Sequence, residues 1–204
     1  MMKKKLQQIR DFYHAALSHY LFITAVAFCA LLFISFVAGV IWKDMSANIM
    51  EWFSQQIAQI DVKDDAGNFS AVALFFNNTR ATTLSILYGF IPYAYLPALS
   101  LGTNSVMIGL FAAVFANAGE SLFYYMMGLL PHGIFEIPAM ILSIACGIYL
   151  CETITENRRH KKSGVVREAI ANILPVYFTI ILPLLVLAAI VEAYLTPVIL
   201  QAIS

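Results

Sequence analysis

The sequence predicts an all-α integral membrane protein with five transmembrane helices, its N-terminus inside and its C-terminus outside, and three observations carry that prediction. Composition is the first: 61% of the 204 residues are hydrophobic and 12% charged, whereas a soluble domain carries about 25% charged residues. The mean hydropathy, +0.79, agrees. The second is the length of the apolar runs. Residues 20–42 form one, 69–154 are almost continuously apolar, and 169–203 form a third; a bilayer core takes about 20 helical residues per crossing. The third is where the basic residues lie. Lys3, Lys4, Lys5 and Arg10 precede the first run, and Arg158, Arg159, Lys161, Lys162 and Arg167 precede the last. Basic residues flanking spans mark the cytoplasmic side.

The elements follow in order. Residues 1–19 are a basic, amphipathic lead-in expected against the inner headgroups, with Phe12, Tyr13, Ala16 and Leu17 along one face. The first span, 20–42, is longer than the roughly 7–15-residue apolar segment of a signal peptide and reads as retained. Residues 43–68 turn acidic, yet Met45, Ile49, Phe53, Ile57 and Ile60 recur at helical spacing. They predict an amphipathic helix on the outer surface, Ile49, Phe53 and Ile57 facing headgroups or a partner and Glu51, Ser54 and Gln55 facing water, followed by a loop over 61–68. The parity of crossings between this outer segment and the inner basic loop, 155–168, requires an odd number of spans in 69–154. One span cannot absorb so long a run and three can. They are expected within 71–100, 104–125 and 131–154, with breaks at 77–80, 102–105, 117–121 and 130–138. The last span, about 171–196, leads to an outer tail.

This topology gathers the polar intrusions. Asn77, Asn78 and Arg80 fall near the outer end of the second span, and His132 and Glu136 near that of the fourth. Glu120 and Glu192 follow as secondary members near the outer ends of the third and fifth. Charges are costly in lipid and persist where protein or a cavity shields them. His132 and Glu136 share a helical face at i,i+4. Two groups are too few for a metal; His14, His19 and His160 fall on the inner side and no cysteine is near, so no metal or other cofactor is expected. An ion pair of Arg80 with Glu136 is expected instead, because Arg stays charged and its planar fork suits a carboxylate. Cys29, Cys146 and Cys151 read as small buried hydrophobes. No nucleophile–base set, phosphate loop or nucleic-acid motif is present, and the basic loop is explained by topology and anionic lipid. The expected class is therefore non-enzymatic, without nucleic-acid partners.

Several of these stretches resemble the stage II sporulation protein M family of bacterial and archaeal membrane proteins. The resemblance rests on Phe75-Phe76-Asn77-Asn78-Thr79-Arg80-Ala81, Gly89, Asn104-Ser105-Val106-Met107-Ile108-Gly109, Leu130-Pro131-His132-Gly133-Ile134-Phe135-Glu136-Ile137-Pro138-Ala139 and Ala145-Cys146-Gly147. The family usually has Asn-Gly where Asn104-Ser105 stands. The resemblance implies a multi-pass protein of a prokaryotic cytoplasmic membrane. It also implies a scaffold for envelope proteins, cell-wall hydrolases among them, as in sporulation engulfment. Beside the lipid bilayer, those proteins are the expected partners. A small permease or transporter subunit, using the polar cluster and broken helices, is the rival expectation. An intramembrane hydrolase using His132 and Glu136 is the third, and it lacks a nucleophile or ligand set.

Overall fold

The computed structural model describes residues 2–57, 70–160 and 164–203. The expected loop at 61–68 and the centre of the basic loop, 161–163, lie outside them, as do the side chains of Phe53, Ser54 and Ile57. The described residues form helices and turns without a strand: α1 (Met2–Phe12), α2 (Ser18–Ile41), α3 (Lys43–Ile57), α4 (Ala71–Leu87), α5 (Leu96–Asn117), α6 (Leu122–His160), α7 (Val165–Val176), α8 (Leu182–Ile190) and α9 (Thr196–Ile203). Wide π turns at Tyr13–Leu17, Tyr177–Ile181 and Val191–Leu195 join α1 to α2 and α7 through α9 into two continuous rods.

Four helical segments are long and apolar enough to cross a membrane: Leu6–Ile41, Leu96–Asn117, Leu122–Arg158 and Val165–Ile203. The second expected span falls on α4, with 17 residues, about 26 Å at the helical rise. It is shorter than expected because the chain bends after it. A 3-10 turn at Tyr88–Phe90 leads into a turn where Tyr93 and Tyr95 take left-handed φ values of 66° and 45°. Such backbone costs about 1–3 kcal/mol per residue and needs support from its surroundings. Part of that support comes from α6: Thr155 Oγ1 accepts from the Tyr93 N–H at 3.1 Å, and the Cys151 thiol donates to the Ile91 carbonyl at 3.3 Å.

Other expected breaks are absent. Residues 77–80 lie inside α4 and 102–105 inside α5. Asn104 Nδ2 and Thr103 Oγ1 donate to the Ser100 carbonyl, and Ser105 Oγ to that of Leu101. Polar side chains that bond back to their own helix let it continue through the apolar layer. At 130–138 the helix runs on through Pro131 and Pro138, so the broken helix expected there is not formed. Proline is tolerated where packing holds the helix, and α6 packs on α2, α4, α5, α7, α8 and α9. Real irregularities stand one residue before two other prolines. The Leu182 N–H reaches the Tyr177 carbonyl ahead of Pro183, and the Thr196 N–H reaches that of Val191 ahead of Pro197. The i→i−5 turn makes room where the proline ring would crowd the preceding turn.

Helix α6 is the axis of the bundle. Ala139, Ser143, Gly147 and Cys151 form a buried row of small side chains at i,i+4 spacing, and Leu142, Ile144, Ala145, Cys146 and Leu150 are buried around it. Small residues let helix backbones approach closely in lipid. Paired positions give the relative directions. Gly39 meets Ala113 and Gly109 meets Ser35, so α2 and α5 run parallel. Ser85 and Gly89 meet Gly147, and Tyr93 meets Thr155, so α4 and α6 run parallel. Pro97 meets Gly147 and the Tyr125 hydroxyl donates to the Ile108 carbonyl, so α5 and α6 are antiparallel. The α7–α9 rod is antiparallel to α6: Gly128 lies by Leu200 at one end and Glu136 by Glu192 nearer the middle.

The lead-in does more than lie on headgroups. Phe12 is buried edge-on to Tyr149, and Gln8 donates to the Ala171 carbonyl and to Asn172 Oδ1, each at 3.1 Å. Exposed Arg10, Arg158 and Arg167 thereby collect at one end of the bundle.

At the other end α2 stops at Ile41, and the carbonyl of Gly39 in its last turn takes two donors. Asn117 Nδ2 reaches it at 2.9 Å and Ser46 Oγ at 3.1 Å. This node seats α3, which buries Ser46 and Met50 and half-buries Ile49. The face expected toward headgroups or a partner, Ile49, Phe53 and Ile57, is described only at half-buried Ile49; the register of α3 on the bundle is set by the carbonyl that α2 leaves open. Asn117→Leu is expected to lower stability by about 1 kcal/mol, the net worth of one hydrogen bond, because Ser46 still covers that carbonyl. Thermal melts in detergent check this, and a loss no larger than that of the exposed Gln55→Leu would refute it. Gly39→Ala should cost more, since its Cβ would stand 2.6 Å from that of Ala113. The obstacle is a side chain, so Ala113→Gly is expected to restore much of the loss in the same melts.

Candidate functional site

His132 and Glu136 lie one turn apart on α6, and Glu192 lies on the π turn between α8 and α9. A donor atom from each stands within 4.8 Å of the other two, and all three residues are half-buried. Helix α6 begins at Leu122, earlier than the span start expected at 131, so His132 sits about 15 Å along the helix at 1.5 Å per residue. The group therefore lies nearer the middle of the bundle than its end. Glu192 is eleven positions before Ile203, the last residue of α9, and matches that depth from the opposite chain direction.

Among the described residues neither carboxylate takes a hydrogen bond or an ion pair, and His132 Nδ1 is buried without a partner. Arg80 is exposed on α4 and forms no ion pair among the described residues. The expected Arg80–Glu136 pair is thus not formed, and Glu192 occupies the place beside Glu136. The physical reason is helix facing. α4 buries Leu74, Thr82 and Ser85, with Ser85 against Gly147 of α6, and Arg80 falls off that buried face. Asn77 is exposed, Asn78 is half-buried, and Thr82 Oγ1 donates to the Asn78 carbonyl at 2.9 Å. Glu120 is exposed in the turn after α5, its N–H bonded to the Phe115 carbonyl.

Sequence marks Glu192 only as a secondary residue, an acid inside a long apolar run with Pro197 five residues on. The node of Gly39, Ser46 and Asn117 is not among the residues predicted above; its signal in the sequence is the small-residue spacing Ser35–Gly39 and Ser105–Gly109–Ala113.

A family model described as Stage II sporulation protein M matches residues 20–197. An uncharacterized protein of Methanocaldococcus jannaschii is 30% identical over 130 residues, covering 63% of this chain and 72% of that protein. No solved structure matches the chain.

Proposed function

We propose, from the premise that this chain belongs to the Stage II sporulation protein M family, that it is a non-enzymatic membrane scaffold for a cell-envelope complex. The setting is the cytoplasmic membrane of a prokaryote, and peptidoglycan-remodelling hydrolases are the partners, with engulfment during sporulation as one instance. The observation that carries this reading is the outer platform. Ser46 and Met50 fix α3 onto the bundle, while Glu51, Trp52 and Gln55 stand exposed on it. A rigidly held helix with an outward tryptophan loses little entropy on docking, and tryptophan is a common anchor of protein interfaces.

The reading takes α4 as a fifth crossing, which places the N-terminus inside and the C-terminus outside. The alternation of helix directions supports it, as does the collection of arginines at one end; 17 residues fall at the short limit of a span. Cysteine labelling in a chain freed of Cys29, Cys146 and Cys151 tests the topology. Positions Asp64 and Ser204 are expected to label from outside and Lys4 and Lys161 only after permeabilisation; a Ser204 site reached only from inside overturns five crossings. Photo-crosslinking from position 52 in host membranes tests the role. Capture of a cell-wall hydrolase is expected, and crosslinks to lipid alone overturn it.

The rival, a permease subunit, is favoured by the half-buried polar group between α6 and the last rod. It requires solute flux in vesicles that Glu136→Gln abolishes.

A further inference from the structure

We propose that His132, Glu136 and Glu192 bind one divalent transition-metal cation of the zinc class, which braces the last rod against α6. The proposal is independent of the scaffold reading. Two ligands one helical turn apart form a rigid pair, and the third comes from a different helix, so the site exists only in the folded bundle. One imidazole with two carboxylates is a nitrogen–oxygen set that suits zinc, manganese or iron; magnesium and calcium prefer oxygen throughout.

Charge points the same way. Two carboxylates meet among apolar helices. Arg80, the one Lys or Arg between Lys63 and Arg158, is exposed and makes no ion pair with either. A divalent cation balances both acids and leaves the imidazole neutral, the form in which it coordinates. Two further observations bear on it. His132 Nδ1 is a buried ring nitrogen with no hydrogen-bond partner among the described residues, so an imidazole donor is left free for an ion. Glu192 is carried on the π turn ahead of Pro197, and such turns are frequent at functional sites.

The spacing is compatible with an ion. A tetrahedral ion with bonds of about 2.0–2.2 Å sets its donors about 3.3–3.6 Å apart. The three atoms, within 4.8 Å of one another, close to that range through side-chain torsions. Three protein ligands leave the fourth position to water or to a partner's donor.

The test uses the full chain purified in detergent. Elemental analysis is expected to find about one zinc-class ion per chain. After chelation, calorimetric titration with Zn²⁺ alone is expected to show one site and to raise Tm, and Mg²⁺ alone to do neither. Glu192→Gln and His132→Gln keep the side-chain size and should weaken Zn²⁺ binding beyond the roughly 10–100-fold typical of losing an outer-shell partner. Glu120→Gln, in the exposed turn, should leave it unchanged. If a glutamine variant fails to fold, the parent chain still decides: Co²⁺ alone should give the intense visible bands of a low-symmetry four-coordinate ion. A stripped parent chain that binds neither Zn²⁺ nor Co²⁺ overturns the proposal and assigns the group to a shared proton. A folded Glu192→Gln chain that binds Zn²⁺ like the parent overturns it as well.

Discussion

Replacing Gly147 by alanine is expected to abolish stable folding. A Cβ at this position would contact the carbonyl oxygen of Ser85 and stand 2.9 and 3.1 Å from the Cγ and Cβ of Pro97. Neither obstacle can swing away, one being helix backbone and the other a ring. Gly89 approaches from the same side, where its own Cβ would contact the Gly147 carbonyl, so α4, α5 and α6 meet at a point with no room for a methyl group. Overpacking typically costs about 1–3 kcal/mol and occasionally more; with two rigid neighbours the upper end is expected, about 3 kcal/mol or beyond. That is a large share of a domain's net stability of roughly 5–15 kcal/mol. Gly102→Ala is the control. It is also inside a helix, with nothing within 4 Å, and alanine there should add about 0.5–1 kcal/mol through its better helix propensity. Melting curves in detergent separate the two, and an unchanged Tm for Gly147→Ala would refute the account.

Gly109→Ala is expected to be nearly as damaging and harder to rescue than Gly39→Ala. Its Cβ would contact Ser35 Oγ and the Leu32 carbonyl oxygen, with the Phe36 nitrogen at 3.0 Å. The Ser35 hydroxyl is itself occupied, donating to the Leu32 carbonyl at 2.9 Å. Ser35→Gly clears one obstacle and leaves the α2 backbone, so the double variant Ser35→Gly/Gly109→Ala should recover only a minor part of the loss. Full recovery would mean that the backbones of α2 and α5 separate readily, contrary to the close parallel packing described above. The expected single-variant loss is again about 3 kcal/mol, read as monodisperse yield and Tm.

The sequence by itself determined the membrane class, the family and most helices. These follow from quantities summed over many residues: apolar run length, charge distribution and motif spacing. The amphipathic helix read over 45–60 and the apolar helix read over 20–42 came from periodicity and length, which neighbours in space hardly alter. The sequence also singled out His132 and Glu136, because a histidine and an acid in an apolar run are conspicuous without coordinates.

Only the tertiary structure decided which polar residues meet. Arg80 and Glu136 were matched by charge and expected depth, but contact depends on helix rotation. α4 turns Leu74, Thr82 and Ser85 into the bundle and leaves Arg80 outside. Glu192 reaches Glu136 through a wide turn ahead of Pro197, and sequence marks such a proline without saying how the ladder will absorb it. The same holds for the breaks. Pro131 and Pro138 read as a broken helix, yet α6 continues because neighbours on many sides hold it, while the chain bends at 88–95, where left-handed Tyr93 finds Thr155 of α6. Propensity and hydropathy act along the chain; helix rotation and the survival of a kink are settled by the packing of distant segments, which is known only once the bundle is assembled.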